Sequence, residues 1–387
     1  MREGNVLDRR KGDLLALPVL LLLVLGLVML ASTSGFGVHA RAEDPYFDVK
    51  RQMVWIVGGL CVAGWMAVAD FRSLRRLSWW MYGTALILLA ACFVPGLGME
   101  INGERRWVQI AGKSFQPSEF AKVALMMVLA AWYAKPERDP EEWRDGFLRP
   151  VFLAGPLLLL IVTEIDIGTT VVLGVAVAAV MYVAGVRWKY LAGGLAAGVL
   201  GVAALAVVMP DKMERLTTFV KGVRAGEVVD YQQKMAELAF GSGGIEGTGL
   251  GAGRLKMKYL PFAHTDFIFP MIGEELGIVA TTGVVLCFLT FGVMGVSIAA
   301  SAPDRFGRLL GTGLVLCVAV QAAVNIAVTT GVFPNTGLPL PFVSYGGSNL
   351  VSSLFCAGVL LSIHRQTGRA RLREDLPLKE EPMIPGI

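Results

Sequence analysis

From residue 14 onward the chain repeats one pattern: a run of mostly apolar residues, then a short polar break. Ten runs are read, at about 14–32, 53–69, 77–96, 117–134, 149–165, 168–186, 190–209, 268–300, 309–333 and 350–364. Runs of roughly 17 to 25 apolar residues cross a bilayer as helices, which satisfy their own backbone groups there. The pattern therefore predicts an all-α, polytopic membrane protein, with residues 1–387 as one integral-membrane domain. The 268–300 run is long enough to tilt or to project beyond the bilayer. The first run lacks a small-residue cleavage pattern and is longer than a signal-peptide core, so it is expected to be retained.

The longest stretch between runs is 210–267, which separates the seventh from the eighth. Inside it, 211–223 and 230–240 carry apolar residues near helical spacing, among them Met235, Leu238 and Ala239. This predicts two short amphipathic helices, either lying in the interface or packing over the bundle.

Composition agrees with this picture: 55% of residues are hydrophobic, 17% are charged, and mean hydropathy is +0.60. Lys and Arg set the orientation. With the N-terminus inside, the inner segments hold 20 of them, against 6 in the outer segments other than 210–267, which holds 8. Both termini, including the tail at 365–387, are expected to be cytoplasmic, and 210–267 extracytoplasmic.

Cys61, Cys92, Cys287, Cys317 and Cys356 all fall in apolar runs and read as packing residues. The three histidines are scattered, without zinc-site spacing. No Walker A pattern occurs, and the Gly-rich 241–253 does not complete G-x-G-x-x-G. Neither an ATP-driven pump nor a nucleic-acid-binding protein is indicated.

Ionisable groups at or within membrane spans are costly unless paired or facing water, so they mark candidate sites. In QPSEFAK (116–122), Pro117 and Ser118 suit a helix start, which puts Glu119 and Lys122 on one face at i,i+3. They form a structural ion pair, a cavity lining where Lys122 meets an anion, or both. In GERRW (103–107), the arginines suit either bidentate phosphate contact or interfacial anchoring beside Trp107. In EIDIGT (164–169), Asp166 reads as a helix cap for Thr169 or Thr170, or as a functional acid.

The segment RLKMKYL-PFAHTDFIFPMIGEELG (254–277) sets Arg254, Lys256 and Lys258 before His264 and Asp266. A basic approach to an acid suits an anionic lipid substrate and a general base. Glu274 and Glu275, further along the eighth run, are expected to satisfy polar neighbours such as Gln321 and Asn325 in the ninth. GLPLPFVSYGGSNL (337–350) is uncharged and rich in Pro and Gly. It reads as irregular backbone at membrane depth, either plugging the bundle or lining a cavity, where Tyr345 and Ser348 would offer hydroxyls to a sugar.

In this order on ten runs, GERRW, QPSEFAK, the Asp-Gly-Thr connection, AHTDFIF…EELG and LPLPFVSYGGS resemble the SEDS family (shape, elongation, division, sporulation) over about residues 14–365. PGLGMEINGERRW (95–107) and AHTDFIFPMIGEELG (263–277) are closer to its division members than to its elongation members. The resemblance implies a peptidoglycan glycosyltransferase that polymerises lipid II at the outer face of the bacterial cytoplasmic membrane. It also implies a class B penicillin-binding transpeptidase and other divisome proteins as partners. The family's essential external aspartate falls on Asp266, its cavity-lining Glu and Lys on Glu119 and Lys122, and its arginine before Trp on Arg106. The chain departs from the family at Ile165, where Pro is usual, and at Phe262, where Glu is usual; the first weakens any carry-over to Asp166.

The expected chemistry is attack of a lipid II sugar 4-hydroxyl on the anomeric carbon of a chain carried on undecaprenyl diphosphate, with inversion. Asp266 would take the proton, while Arg106, Lys122 and Arg254 or Lys256 would hold diphosphate oxygens. His264 would orient the acid or serve only structure. A divalent cation, Mg or Mn, held by Asp266 and the diphosphate is compatible with the residues. The alternatives are an elongation-type polymerase, a lipid II flippase or carrier, and a scaffold without activity.

Overall fold

The computed structural model describes residues 2–34, 44, 46–101, 104–110, 113–164, 166–208, 214–225, 228, 230–255 and 265–374. A helix forms at each of the ten apolar runs: α1 (Arg2–Ser34), α2 (Phe47–Val68), α3 (Ser73–Ala91), α4 (Pro117–Tyr133), α5 (Arg149–Thr163), α6 (Ile167–Ala184) and α7 (Trp188–Val208), then α10 (Ile268–Ala300), α11 (Arg305–Thr329) and α12 (Gly347–Glu374). The two short helices expected between the seventh and eighth runs are α8 (Glu214–Ala225) and α9 (Tyr231–Gly243). Among the described residues, seven spans meet the length and apolarity of a membrane crossing: α1, α2, α6, α10, α11 and α12, and α5 together with the π-helical turn Trp143–Leu148 before it. α3, α4 and α7 lie outside that set. The chain is a mostly helical, multi-pass membrane protein.

The apolar runs do not predict the strands that follow α3. Between α3 and α4 the chain forms a small antiparallel sheet of β1 (Gly98–Ile101), β2 (Glu104–Ile110) and β3 (Lys113–Phe115), in the order β1-β2-β3. Met99 pairs with Trp107 and Gln109 with Ser114. The alternation of strand side chains turns Arg106 and Val108 to the buried face and leaves Arg105 and Gln109 exposed. Among the described residues the fold is therefore all-α apart from this cap.

α4 is apolar all round apart from Ser118, Glu119 and Lys122 in its first turns, and such a helix belongs in the interior. Every residue from Pro117 to Tyr133 except Phe120 is buried, against α3, α6, α11 and α12. α7 is equally apolar, yet Trp188, Leu195, Val199 and Leu200 are exposed, as a lipid-facing helix requires. α2 and α12 approach closely where Gly358 meets Ala63: a Cβ there would lie 2.5 Å from the Ala63 carbonyl oxygen.

α10 is two helical pieces rather than one straight span. Gly277 has φ +73°, and a Cβ on it would lie 2.2 Å from the carbonyl oxygen of Ile245. The residues before this break form a separate short helical piece that starts two residues after Asp266. The up-and-down course of the helices brings the starts of α2, α4, α6, α10 and α12 to one end of the bundle, together with the sheet, α9 and the 334–346 segment.

Candidate active site

A cavity of about 360 Å³ opens at that end. It is lined from α2 by Arg51 and Trp55, and from the sheet by Arg106, Trp107 and Ser114. Gln232, Thr265 and Asp266 line it from α9 and the start of α10, and Asn335, Gly337 and Tyr345 from the segment before α12. Two guanidinium groups, one carboxylate, three aromatic rings and several amides therefore share one concave space of ligand size.

The irregular 330–346 segment is the scaffold of this space. α11 carries Gln321 and Asn325 one turn apart. Gln321 donates to the Pro339 carbonyl at 2.9 Å, and Asn325 donates to the carbonyls of Leu338 at 2.6 Å and Asp266 at 2.8 Å. From the other side Gln52 of α2 donates to the Ser344 carbonyl at 3.3 Å and accepts from the Gly346 N–H at 3.4 Å. Phe342, buried at φ +64° against Phe291, occupies the left-handed region that a bulky residue seldom adopts. The segment thus lines the cavity rather than plugging the bundle. Every named carbonyl has a side-chain donor, as irregular backbone at membrane depth requires.

The expected site residues divide into three groups. Asp266, Arg106, Tyr345 and Ser348 line the cavity together. Asp266 is half-buried at its wall, and Arg106, 7% exposed, reaches the Glu164 carbonyl with its Nε at 3.4 Å. Ser348 accepts the Gln116 N–H at 3.2 Å, so its oxygen also closes the start of α4. Burial raises the Tyr345 phenol above its ordinary value, with Arg51 opposing and Asp48 adding to the shift, so it stays neutral.

Glu119 and Lys122 form the expected ion pair at 2.9 Å, but beneath the cavity rather than among its lining residues. They are 1% and 3% exposed, and Lys122 also donates to Gln321, which holds Pro339 of the lining. Arg254 is exposed and outside the lining. Lys256 and His264 fall outside the described residues.

The expectation that Glu274 and Glu275 satisfy Gln321 and Asn325 is corrected. Glu274 accepts the N–H groups of Arg254 at 2.7 Å and Leu255 at 3.3 Å; Glu275 accepts the Gly251 N–H at 3.0 Å and the Ser32 hydroxyl. The two acids fasten the Gly-rich stretch onto the first piece of α10. Asp166 is the helix cap expected, accepting from the Thr169 N–H at 3.0 Å and the Thr169 hydroxyl at 2.8 Å.

α5 ends at Thr163, which leaves Glu164 in the connection to α6, 1% exposed. Burial, then the nearby Asp166, pushes its carboxyl up to about 8 against the opposing effects of Cys92 and Arg106. Sequence reasoning passed over Arg51, Gln52, Gln232 and Asn335. Their signal was slight: Arg51 and Gln52 lie in a short polar break before an apolar run, Asn335 just after one, and Gln232 in the polar start of α9.

Among the described residues no three His, Cys, Asp or Glu side chains converge. One carboxylate, Asp266, faces the cavity; magnesium-type ions are commonly held by one or two carboxylates with substrate phosphates.

Fold and cavity define a polytopic membrane protein with an acid and two arginines gathered at one end of its bundle. The chain belongs to the FtsW/RodA/SpoVE family of cell cycle proteins, whose model matches residues 13–369. It is 35% identical over 366 residues to the probable peptidoglycan glycosyltransferase FtsW of Geobacter sulfurreducens, covering 93% of this chain and 96% of that one. It is 34% identical over 353 residues to stage V sporulation protein E of Bacillus subtilis, covering 91% and 96%. A chain of a solved peptidoglycan synthase complex, described as coordinating polymerization and crosslinking, superposes with a TM-score of 0.74 at 31% identity, covering 91% of this chain and 97% of that one. The rod shape determining protein RodA of Thermus thermophilus superposes at 0.66 with 29% identity, covering 91% and 96%.

Proposed function

We infer that this FtsW-like protein is a peptidoglycan glycosyltransferase, and that the cavity is where it polymerises lipid II. The observation that carries the reading is the placing of Asp266 and Arg106 on one cavity of about 360 Å³. The reaction needs a base for the attacking hydroxyl and positive charge for the departing diphosphate. Asp266 takes the proton from the sugar 4-hydroxyl as its oxygen bonds to the anomeric carbon of the growing chain. The bond from that carbon to undecaprenyl diphosphate breaks on the opposite face, with inversion.

Arg106, and Arg51 across the cavity, take up the charge on the leaving oxygens through guanidinium contacts. Trp55, Trp107 and Tyr345 supply aromatic walls, and the hydroxyls of Tyr345 and Ser348 contact sugar. Lys122 supports the floor through Gln321 rather than touching substrate. Arg254, Lys256 and His264 precede Asp266 in sequence and make the approach basic. A divalent cation, magnesium or manganese, fits Asp266 together with the diphosphate oxygens, where it would neutralise leaving-group charge.

The Lys and Arg bias supports a cavity on the outer face, and the polymerase reading makes the membrane the bacterial cytoplasmic one. Polymer made there is crosslinked by a class B penicillin-binding transpeptidase bound to this chain within the divisome, a pairing supported by similarity to a chain of a peptidoglycan synthase complex.

The test is polymer formation from labelled lipid II by the purified chain, with and without the transpeptidase, compared with Asp266→Asn. General base catalysis contributes about 10²–10⁴-fold, so the variant should fold normally and lose nearly all activity. More than about a tenth of wild-type activity in Asp266→Asn removes Asp266 as the base. If neither protein makes polymer while both move lipid II across liposome membranes, the chain is a carrier.

A further inference from the structure

The polymerase reading assigns a proton acceptor and anion ligands but leaves open what orients the accepting sugar. A base acts only on a hydroxyl within hydrogen-bond reach, so the ring that bears it must be held at a second point. The cavity offers an oriented amide for this. Asn335 is 8% exposed and lines the cavity. Its Nδ2 donates to the Gln232 Oε1 at 2.6 Å, and its Oδ1 accepts from the Gly337 N–H at 3.3 Å. An amide has two N–H groups and two acceptor lone pairs, so these bonds fix its plane and use half its capacity.

Asn335 is also tied rigidly to the base. The segment that carries it is held at Leu338 by Asn325, whose same nitrogen donates to the Asp266 carbonyl. α9 completes the mount. Gln233 donates to the carbonyls of Val328 at 2.7 Å and Phe333 at 2.8 Å, while Asp230 caps the helix by accepting from the N–H groups of Gln232 and Gln233. Two successive glutamines thus do separate jobs: one anchors α9 to the end of α11, and the other steadies Asn335 at the cavity.

We propose that Asn335, oriented by Gln232 and Gly337, reads the 2-acetamido group of the sugar whose hydroxyl Asp266 deprotonates. An acetamido group carries one N–H and one carbonyl, the complement of the N–H and lone pair left on the Asn335 amide. The proposal rests on the polymerase reading. It makes Asn335 a specificity-determining residue, with Gln232 a positioning residue.

The experiment uses the full chain with its transpeptidase and two substrates: lipid II, and lipid II whose accepting sugar bears a free 2-amine. Wild type should discriminate against the amine by about tenfold or more in kcat/KM. Asn335→Leu should lower kcat/KM for lipid II about tenfold, with kcat falling as the sugar loses its orientation, and lose most of the discrimination. Gln232→Leu should do the same to a lesser degree. If Asn335→Leu fails to fold, Asn335→Asp keeps the acceptor for Gly337, removes the N–H donors and is read in the same way.

Discrimination that survives in the folded variant overturns the proposal. Equal use of both substrates by wild type also overturns it while leaving the polymerase reading intact. Absence of any polymer from wild type overturns the polymerase reading and this inference with it.

Discussion

The side-chain amide of Asn325 donates to the main-chain carbonyl of Asp266 at 2.8 Å, across 59 residues of sequence. The same nitrogen holds the Leu338 carbonyl at 2.6 Å. One buried amide on α11 therefore sets the proposed base and the adjoining 337–339 part of the cavity wall in register.

Asn325→Leu should leave both carbonyls without their donor and let Asp266 drift. Displacement of a catalytic group by about an ångström costs on the order of 10²-fold, so kcat should fall about 10–100-fold while KM changes little. Steady-state polymerisation kinetics on folded protein check this; unchanged kcat would mean that other contacts position Asp266.

Removing one member of the buried Glu119–Lys122 pair strands the other charge. Lys122→Met alone should destabilise the protein by about 3–5 kcal/mol, as breaking buried ion pairs generally does. Combining it with Glu119→Gln should restore much of the stability, because neither remaining group carries a charge. Thermal unfolding in detergent measures both effects. Restored folding together with restored polymerisation would confine Lys122 to structure, whereas restored folding without activity would return it to the substrate.

Glu274 accepts the N–H groups of Arg254 and Leu255. Glu274→Ala should leave these partly buried donors unmatched, at a cost of about 1–3 kcal/mol. Hydrogen exchange at residues 248–255 should speed up, while exchange in α4 stays slow. Unchanged protection of the Gly-rich stretch would show that Glu274 does not fasten it.

Glu164 stands beside Arg106 with its carboxyl pushed up to about 8 by burial and by Asp166. The acid is therefore mostly neutral at pH 7 and ionises as pH rises through that value. Once ionised, it attracts the guanidinium that the proposed function aims at diphosphate. Activity should accordingly decline with an apparent pKa near 8, and Glu164→Gln, which stays neutral, should flatten that alkaline limb. An alkaline limb that persists in Glu164→Gln would assign it to another group.

Local pattern along the chain encodes the helices, one ion pair and one cap. Apolar runs of bilayer length placed the helices, the spacing of Glu119 and Lys122 set their pairing, and Asp166 beside Gly168 and Thr169 marked the cap of α6. These interactions join residues within one helical turn, where geometry follows directly from spacing. The order of motifs along the chain also carried the family.

How these parts meet depends on contacts between distant segments in the packed bundle. Asn325 and Gln321 pair with loop carbonyls, and Glu274 and Glu275 with a Gly-rich stretch, because in a dry interior any exposed N–H or carbonyl competes for a nearby side chain. Gln52 and Ser344 meet across 292 residues, and no periodicity records such a contact. The sheet that turns Arg106 inward was hidden because short strands beside strongly apolar helices leave little pattern of their own. The cavity is therefore a property of the packed bundle, while the acid and the arginine on its walls could be singled out from the chain alone.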